Sequence, residues 1–212
     1  WGEVIEQEAA IDGPLSVADI VPCRPLSGAG GVGCSENLAF EAWLFGGAGR
    51  ESPNIFGVRL SAAIALQDDL ASQINVDDFK NSDADRGAWD KRAEDLGNED
   101  LPELTLGAAV SRPVVTHVRG GNTIRAALVM GCGKGEEGAS AGPGRCILVV
   151  EAITGRVIRR FDSFTDDEVA ILGDIASFTG SPVAFPAGGI TPASRAYIGD
   201  AAGRIWRMDM RA

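Results

Sequence analysis

The chain has 212 residues, a formal net charge of −11 at pH 7 and 45% hydrophobic residues. That apolar fraction is enough for a packed core and excludes wholesale disorder, while the acidic balance disfavours phosphate backbones, so no nucleic-acid partner is expected. No run approaches the roughly 20 apolar residues of a membrane helix, so no membrane span is expected; residue 1 is Trp rather than Met, and a secretory signal could lie upstream.

The 28 Gly and 10 Pro favour turns over long helices. In chain order, the first predicted strand is LSVADIV from Leu15, followed by a Gly-, Pro- and Ser-rich stretch that holds Cys23 and Cys34. EAWLFGGAG then gives a strand ending at Leu44-Phe45-Gly46, and IFGVRL from Ile55 gives the next. The stretch 68–100 is rich in Asp and Glu and reads as an acidic insertion or connector, with the segment around Trp89 a candidate fourth strand.

The same phrase recurs. PVVTHV from Pro113, a strand ending at Val129-Met130-Gly131, a glycine-rich turn and ILVVEA from Ile147 form a second unit, with Arg156–Ser163 its candidate fourth strand. ILVVEA is apolar on both faces up to Glu151, as a strand covered on both sides requires. PVAF from Pro182, a strand ending at Tyr197-Ile198-Gly199 and IWRMDM from Ile205 form a third, in which Trp206, Met208 and Met210 share one face and Ile205, Arg207 and Asp209 the other. Short strands with glycine at the turns, repeated this way, imply an all-β fold: a partial β-propeller of about three blade-like units of antiparallel strands, roughly 1–67, 101–163 and 175–212. Closed propellers hold roughly four to eight blades, so the expectation is either part of a larger propeller or an open stack completed by another polypeptide.

Four cysteines fall into two local pairs, Cys23 with Cys34 and Cys132 with Cys146. Each pair could close a loop between neighbouring strands, worth roughly 3 kcal/mol in the chain-entropy model, and two bridges would imply an oxidising compartment. The alternative is four free thiols. Neither spacing is Cys-x-x-Cys and there is one His, so zinc and thioredoxin-like chemistry are poorly supported.

Other motifs are weak as sites. In NSDADRG, Asn81, Asp83 and Asp85 alternate like early calcium ligands, but Arg86 stands where such a loop needs Gly and Arg92 where it needs a bidentate Glu. A solvated acidic loop is the preferred reading. GCGKGEEGASAGPGR lacks phosphate-loop order and runs into a strand rather than a helix. His117 lacks catalytic neighbours in sequence and reads as structural, equivalent to Asp19 and Pro186 in the other units; Trp43, Trp89 and Trp206 read as packing residues. No catalytic, cofactor or metal residue is expected, and the chain reads as a non-enzyme.

The order of these phrases resembles the C-terminal quinoprotein-like propeller of PilY-type proteins, adhesins at the tip of bacterial type IV pili. The resemblance is carried by AIDGPLSVADIV, AWLFGGAGRESPNIFGVRLSAA, SRPVVTHV through GRCILVVEAITGRVI and, most specifically, SRAYIGDAAGRIWRMDM. Gly199, Asp200, Gly203, Trp206 and Asp209 fall on the family's closing phrase, and ITGRVIRRF looks like its blade-docking motif with Phe161 in the Trp position. The resemblance implies a pilus-tip component supporting pilus assembly, retraction control, twitching motility and surface adhesion. It also implies export through the periplasm to the cell surface, with minor pilins, other tip proteins and the remainder of its own propeller as partners. The family's calcium loop corresponds to residues 185–195, which carry no carboxylate, so no calcium is expected there. Two alternatives stay open: a segment of a quinone-cofactor dehydrogenase propeller, and a generic extracellular protein-binding propeller.

Overall fold

The computed structural model describes residues 13–21, 23–25, 40–47, 54–60, 88–91, 106–108, 111–135, 144–162, 176–186 and 191–211. The named elements among them are twelve strands: β1 (Leu15–Ile20), β2 (Cys23–Pro25), β3 (Glu41–Gly47), β4 (Ile55–Arg59), β5 (Ala88–Lys91), β6 (Val114–Gly120), β7 (Thr123–Gly131), β8 (Ile147–Glu151), β9 (Val157–Phe161), β10 (Val183–Phe185), β11 (Arg195–Gly199) and β12 (Ile205–Asp209). They form three antiparallel sheets. The first runs β1-β3-β4-β5; the second has five strands, β2-β7-β8-β9 with β6 also paired to β7; the third is β10-β11-β12. The fold is therefore all-β and blade-like, as the recurring phrase implies, and the described strands do not close into a ring. Both expected fourth strands are present: β5 contains Trp89 and lies within the acidic stretch, and β9 lies within 156–163.

Two features of the second sheet depart from the expected unit. β6 and β7 are joined by a two-residue turn, Gly121-Asn122, because Gly120 pairs with Thr123 and Gly121 takes φ +57°. β2, although it follows β1 in the chain, pairs its backbone with Thr123–Arg125 of β7, beyond the point where β8 has ended. The first two sheets are thus tied by a strand as well as by packing.

The register corrects one sequence alignment. The chain reads as though Gly46 matched Gly131 and Gly199, but the residue that pairs with the first residue of the following strand is Gly47, opposite Ile55, as Gly131 is opposite Ile147 and Gly199 opposite Ile205. A one-residue shift reverses every side chain in a strand, so packing tests the point. With Gly47 aligned, Phe45 corresponds to Val129, and both face the next sheet; Met130 corresponds to Ile198, and both face the preceding one.

The core follows from this alternation. On β7, Ala126, Leu128 and Met130 pack against Trp43, Phe45 and Ile55 of the first sheet, while Ala127 and Val129 pack against Ala196 and Ile198 of the third. On β8, Leu148 and Val150 face the first sheet, and Ile147 and Val149 the third; all four are almost fully buried. The middle blade is a slab covered on both faces, which is why its strands read as continuous apolar runs. The Trp43 and Phe45 rings stack 5.7 Å apart and nearly parallel within the first interface, and Phe161 packs against the second.

Candidate functional site

The closing phrase folds into a turn built around one carboxylate. β11 ends at Gly199, and the next residue, Asp200, has a side chain with no solvent exposure. Its Oδ1 accepts the backbone N–H groups of Ala202 (3.0 Å) and Arg204 (2.9 Å). Its Oδ2 accepts Arg204 Nε (2.7 Å) and the Trp206 indole N–H (2.9 Å). Gly203 takes φ +81° to complete the turn, and Asp200 N donates to the Arg204 carbonyl at 3.0 Å. Burial alone would raise the Asp200 pKa. The bonds from Trp206 and from Arg204 backbone and side chain, with the Arg204 charge, outweigh it and hold the carboxyl below its ordinary value. With four donors directed at two oxygens, this carboxylate organises the turn and stays ionised. Trp206 meets Phe178 edge-on, ring centroids 5.6 Å apart, and Ala201 N donates to the Ser177 carbonyl, so the turn is fastened to the segment entering the third blade.

Gly199, Asp200, Gly203 and Trp206 therefore belong to one hydrogen-bonded and packed unit. Asp209 does not. It is exposed at the end of β12, where its carboxylate accepts Arg211 N (3.0 Å) and Nε (3.4 Å), and its backbone carbonyl accepts Arg159 Nη1 (3.2 Å) from the second blade. The Arg211 backbone bond, then its side chain, lower the Asp209 pKa.

The turn end of the second blade is pinned by the Cys132–Cys146 disulfide, with Cα atoms 5.1 Å apart. Cys132 N donates to the Cys146 carbonyl, and Gly107 N to that of Cys132. Two glycines let neighbouring backbones come this close. A Cβ on Gly131 would run into the Phe178 carbonyl, and Gly133, at φ +90°, has no room against the Ala108 carbonyl. Cys34 and the Cys23 side chain lie outside the described residues, as do Asn81, Asp83 and Asp85. The Trp89 side chain lies outside them too.

Several polar groups fasten blade to blade. Buried His117 places Nε2 3.2 Å from the Val21 carbonyl of the first unit, and its own carbonyl accepts Ala193 N of the third. Ser16 Oγ donates to the Pro113 carbonyl, and Ser111 Oγ donates to the Gly180 carbonyl while accepting Gly131 N. At the other end of the second blade, buried Glu151 accepts Arg125 Nη1 (2.6 Å) and Thr154 Oγ1 (2.7 Å), with Arg156 Nε 3.6 Å away. Burial raises its pKa, but these partners outweigh it and lower the net value. Sequence reading saw Glu151 only as the residue that ends an apolar strand and did not single out Ser111. Their signal is a lone polar residue beside a fully apolar strand.

The remaining candidate surface is the outward face of the third blade. Ile205 is 80% exposed, Val183 60% and Phe185 55%, and the cross-strand rows place Tyr197 and Arg207 beside Val183, and Arg195 and Asp209 beside Phe185. Arg195 lies over the Phe185 ring, 5.6 Å from its centroid, and its buried Nε has no hydrogen-bond partner. Ile205 aligns with Ile55 and Ile147, both buried, so the repeat itself held the signal for this face. Among the described residues no three His, Cys, Asp or Glu side chains are grouped to hold a metal, and no helix is long and apolar enough to cross a membrane.

Among the described residues these features define an open stack of three blade-like antiparallel sheets fastened by polar cross-links, with the Cys132–Cys146 disulfide closing the turn end of the middle one. Compared with protein-family models, with curated proteins and with solved structures, the chain matches none of them.

Proposed function

We propose that this chain is a non-enzymatic structural component at the tip of a type IV pilus, supporting pilus assembly, retraction control and surface adhesion. The observation that carries the reading is the closing phrase: Gly199, Asp200, Gly203 and Trp206, the residues behind the resemblance to PilY-type proteins, form one turn around the buried Asp200 carboxylate. The Cys132–Cys146 bridge is in keeping with export to an oxidising compartment. The role is mechanical. Blades held by buried polar cross-links and a disulfide resist peeling, and their outward faces and loops are left to meet minor pilins and other tip proteins. Immunogold labelling of intact and sheared pili with an antibody to this chain tests the proposal. Label at one filament end supports it. Label confined to the soluble periplasmic fraction overturns it and directs attention to the scaffold and quinoprotein readings, which a bound-cofactor absorbance spectrum separates.

A further inference from the structure

The turn end of the second blade reaches beyond its own hairpin. The phrase GCGKGEEGASAGPGRC supplies two arms, residues 131–135 and 144–146, and the Cys132–Cys146 bridge joins them. Phe178, in the segment entering the third blade, is gripped between the arms. Its N–H donates to the Gly144 carbonyl at 2.9 Å, and its carbonyl accepts Gly133 N at 3.3 Å. Beside it, Ser177 Oγ accepts Gly135 N at 3.0 Å. These bonds hold together only while the arms keep their spacing, which the bridge sets. The same two residues fasten the closing turn. The Ser177 carbonyl accepts Ala201 N, and the Phe178 ring meets Trp206, whose indole N–H donates to Asp200. A contiguous path of contacts therefore runs from the disulfide through Ser177 and Phe178 to Asp200. It lies outside the strand ladders, since β7 ends at Gly131, β8 starts at Ile147 and β11 ends at Gly199.

We propose that the Cys132–Cys146 bridge is a redox-sensitive clamp on the closing turn. Oxidised, it holds Phe178 between the two arms and so orders the turn around Asp200. Reduced, it lets the arms part and loosens the turn, while the sheets stay folded because the core residues of β7 and β8 pack on both neighbouring sheets without it. The reductant is a dithiol. One of its thiolates bonds to a bridge sulfur as the Cys132–Cys146 bond breaks; its second thiol then closes the dithiol's own disulfide, and two electrons and two protons end on the cysteine thiols. Cys132 and Cys146 are 1% and 4% exposed, so a dithiol reaches the bridge only when the arms open, and a clamp once formed persists in an oxidising compartment. The inference holds for any oxidising destination and does not rest on the pilus reading.

Hydrogen–deuterium exchange, read by peptide mass spectrometry on the oxidised full chain and on the Cys132→Ser, Cys146→Ser double variant, tests this. The expected result is a loss of protection of about tenfold or more in peptides spanning 176–180 and 199–206, with peptides from β3 and β4 unchanged. Wild type held in dithiothreitol until the thiols of Cys132 and Cys146 titrate should show the same pattern, and reoxidation should restore the protection. That second measurement keeps every side chain and needs no substituted chain to fold. Two results would overturn the proposal: protection at 199–206 that is the same with and without the bridge, or an equal loss in β3 and β4, which would make the bridge a support of the whole fold and not a clamp on one turn.

Discussion

Replacing Asp200 tests the central physical claim about the closing turn. Asp200→Ala removes the acceptor for two backbone N–H groups, the Trp206 indole and the Arg204 guanidinium, whose side chain is 22% exposed. Hydrogen bonds to a charged group contribute about 1.5–3 kcal/mol each, but they act on one carboxylate and do not add. Ala201, Ala202 and Gly203 are exposed, so water can recover part of the loss at the backbone donors. Removing one partner of a buried ion pair costs about 3–5 kcal/mol, and that range is the expectation here. Asp200→Asn keeps an acceptor for the backbone donors but turns an amide N–H₂ toward Trp206 or Arg204, and should cost about 1–3 kcal/mol. Urea unfolding followed by tryptophan fluorescence measures both. The pH dependence has a fixed sign. The folded pKa of Asp200 lies below its ordinary value of 3.8, so its contribution is present above that pH and is lost as pH falls through the folded value. The gap between wild type and Asp200→Asn should therefore narrow in acid. A loss below about 1 kcal/mol for Asp200→Ala at pH 7 would refute the reasoning, since it would mean that the four donors find other partners at little cost.

Cys132→Ser with Cys146→Ser should lower stability by about 3 kcal/mol, or roughly 6–12 °C in Tm for a chain of this size; an unchanged scanning-calorimetry trace would mean that the bridge constrains little. Gly131→Ala should cost more than about 2 kcal/mol, because its Cβ meets the Phe178 carbonyl rather than a yielding side chain. Thermal melts read the result, and a stable variant would show that the two backbones can separate. Glu151→Gln should lose about 1–3 kcal/mol through the Arg125 and Arg156 pairs, and the difference from wild type should shrink as pH falls through the lowered Glu151 pKa, measured by urea unfolding at pH 7 and pH 3.

Much of the fold was legible because strand structure is local. The alternation in IWRMDM separated Trp206 and Met208 from Ile205, Arg207 and Asp209, of which the structure buries Met208 and leaves the second set exposed, and the unbroken apolar run in ILVVE announced a strand covered on both faces. Glycine at the end of the equivalent strand in each of three units marked the repeat, yet the run Phe45-Gly46-Gly47 offered two candidates, and only the hydrogen-bond ladder with Ile55 chose Gly47. Asp200 and Trp206 stood out by their place in a recognisable phrase. That Trp206 and Arg204 both donate to the Oδ2 of Asp200, while Asp209 points to solvent, depends on a turn geometry that spacing does not encode.

By itself, then, the sequence determined an all-β chain of three repeated blade-like units and the strand faces within them, since periodicity and turn residues act over a few neighbours. The tertiary structure decided which faces meet. It paired β2 with β7, joined His117 to Val21 and Ala193 across three units, and buried Ile55 and Ile147 while leaving Ile205 open. Those outcomes rest on contacts between residues far apart in the chain, where burial depends on what lies opposite and not on the residue's own pattern.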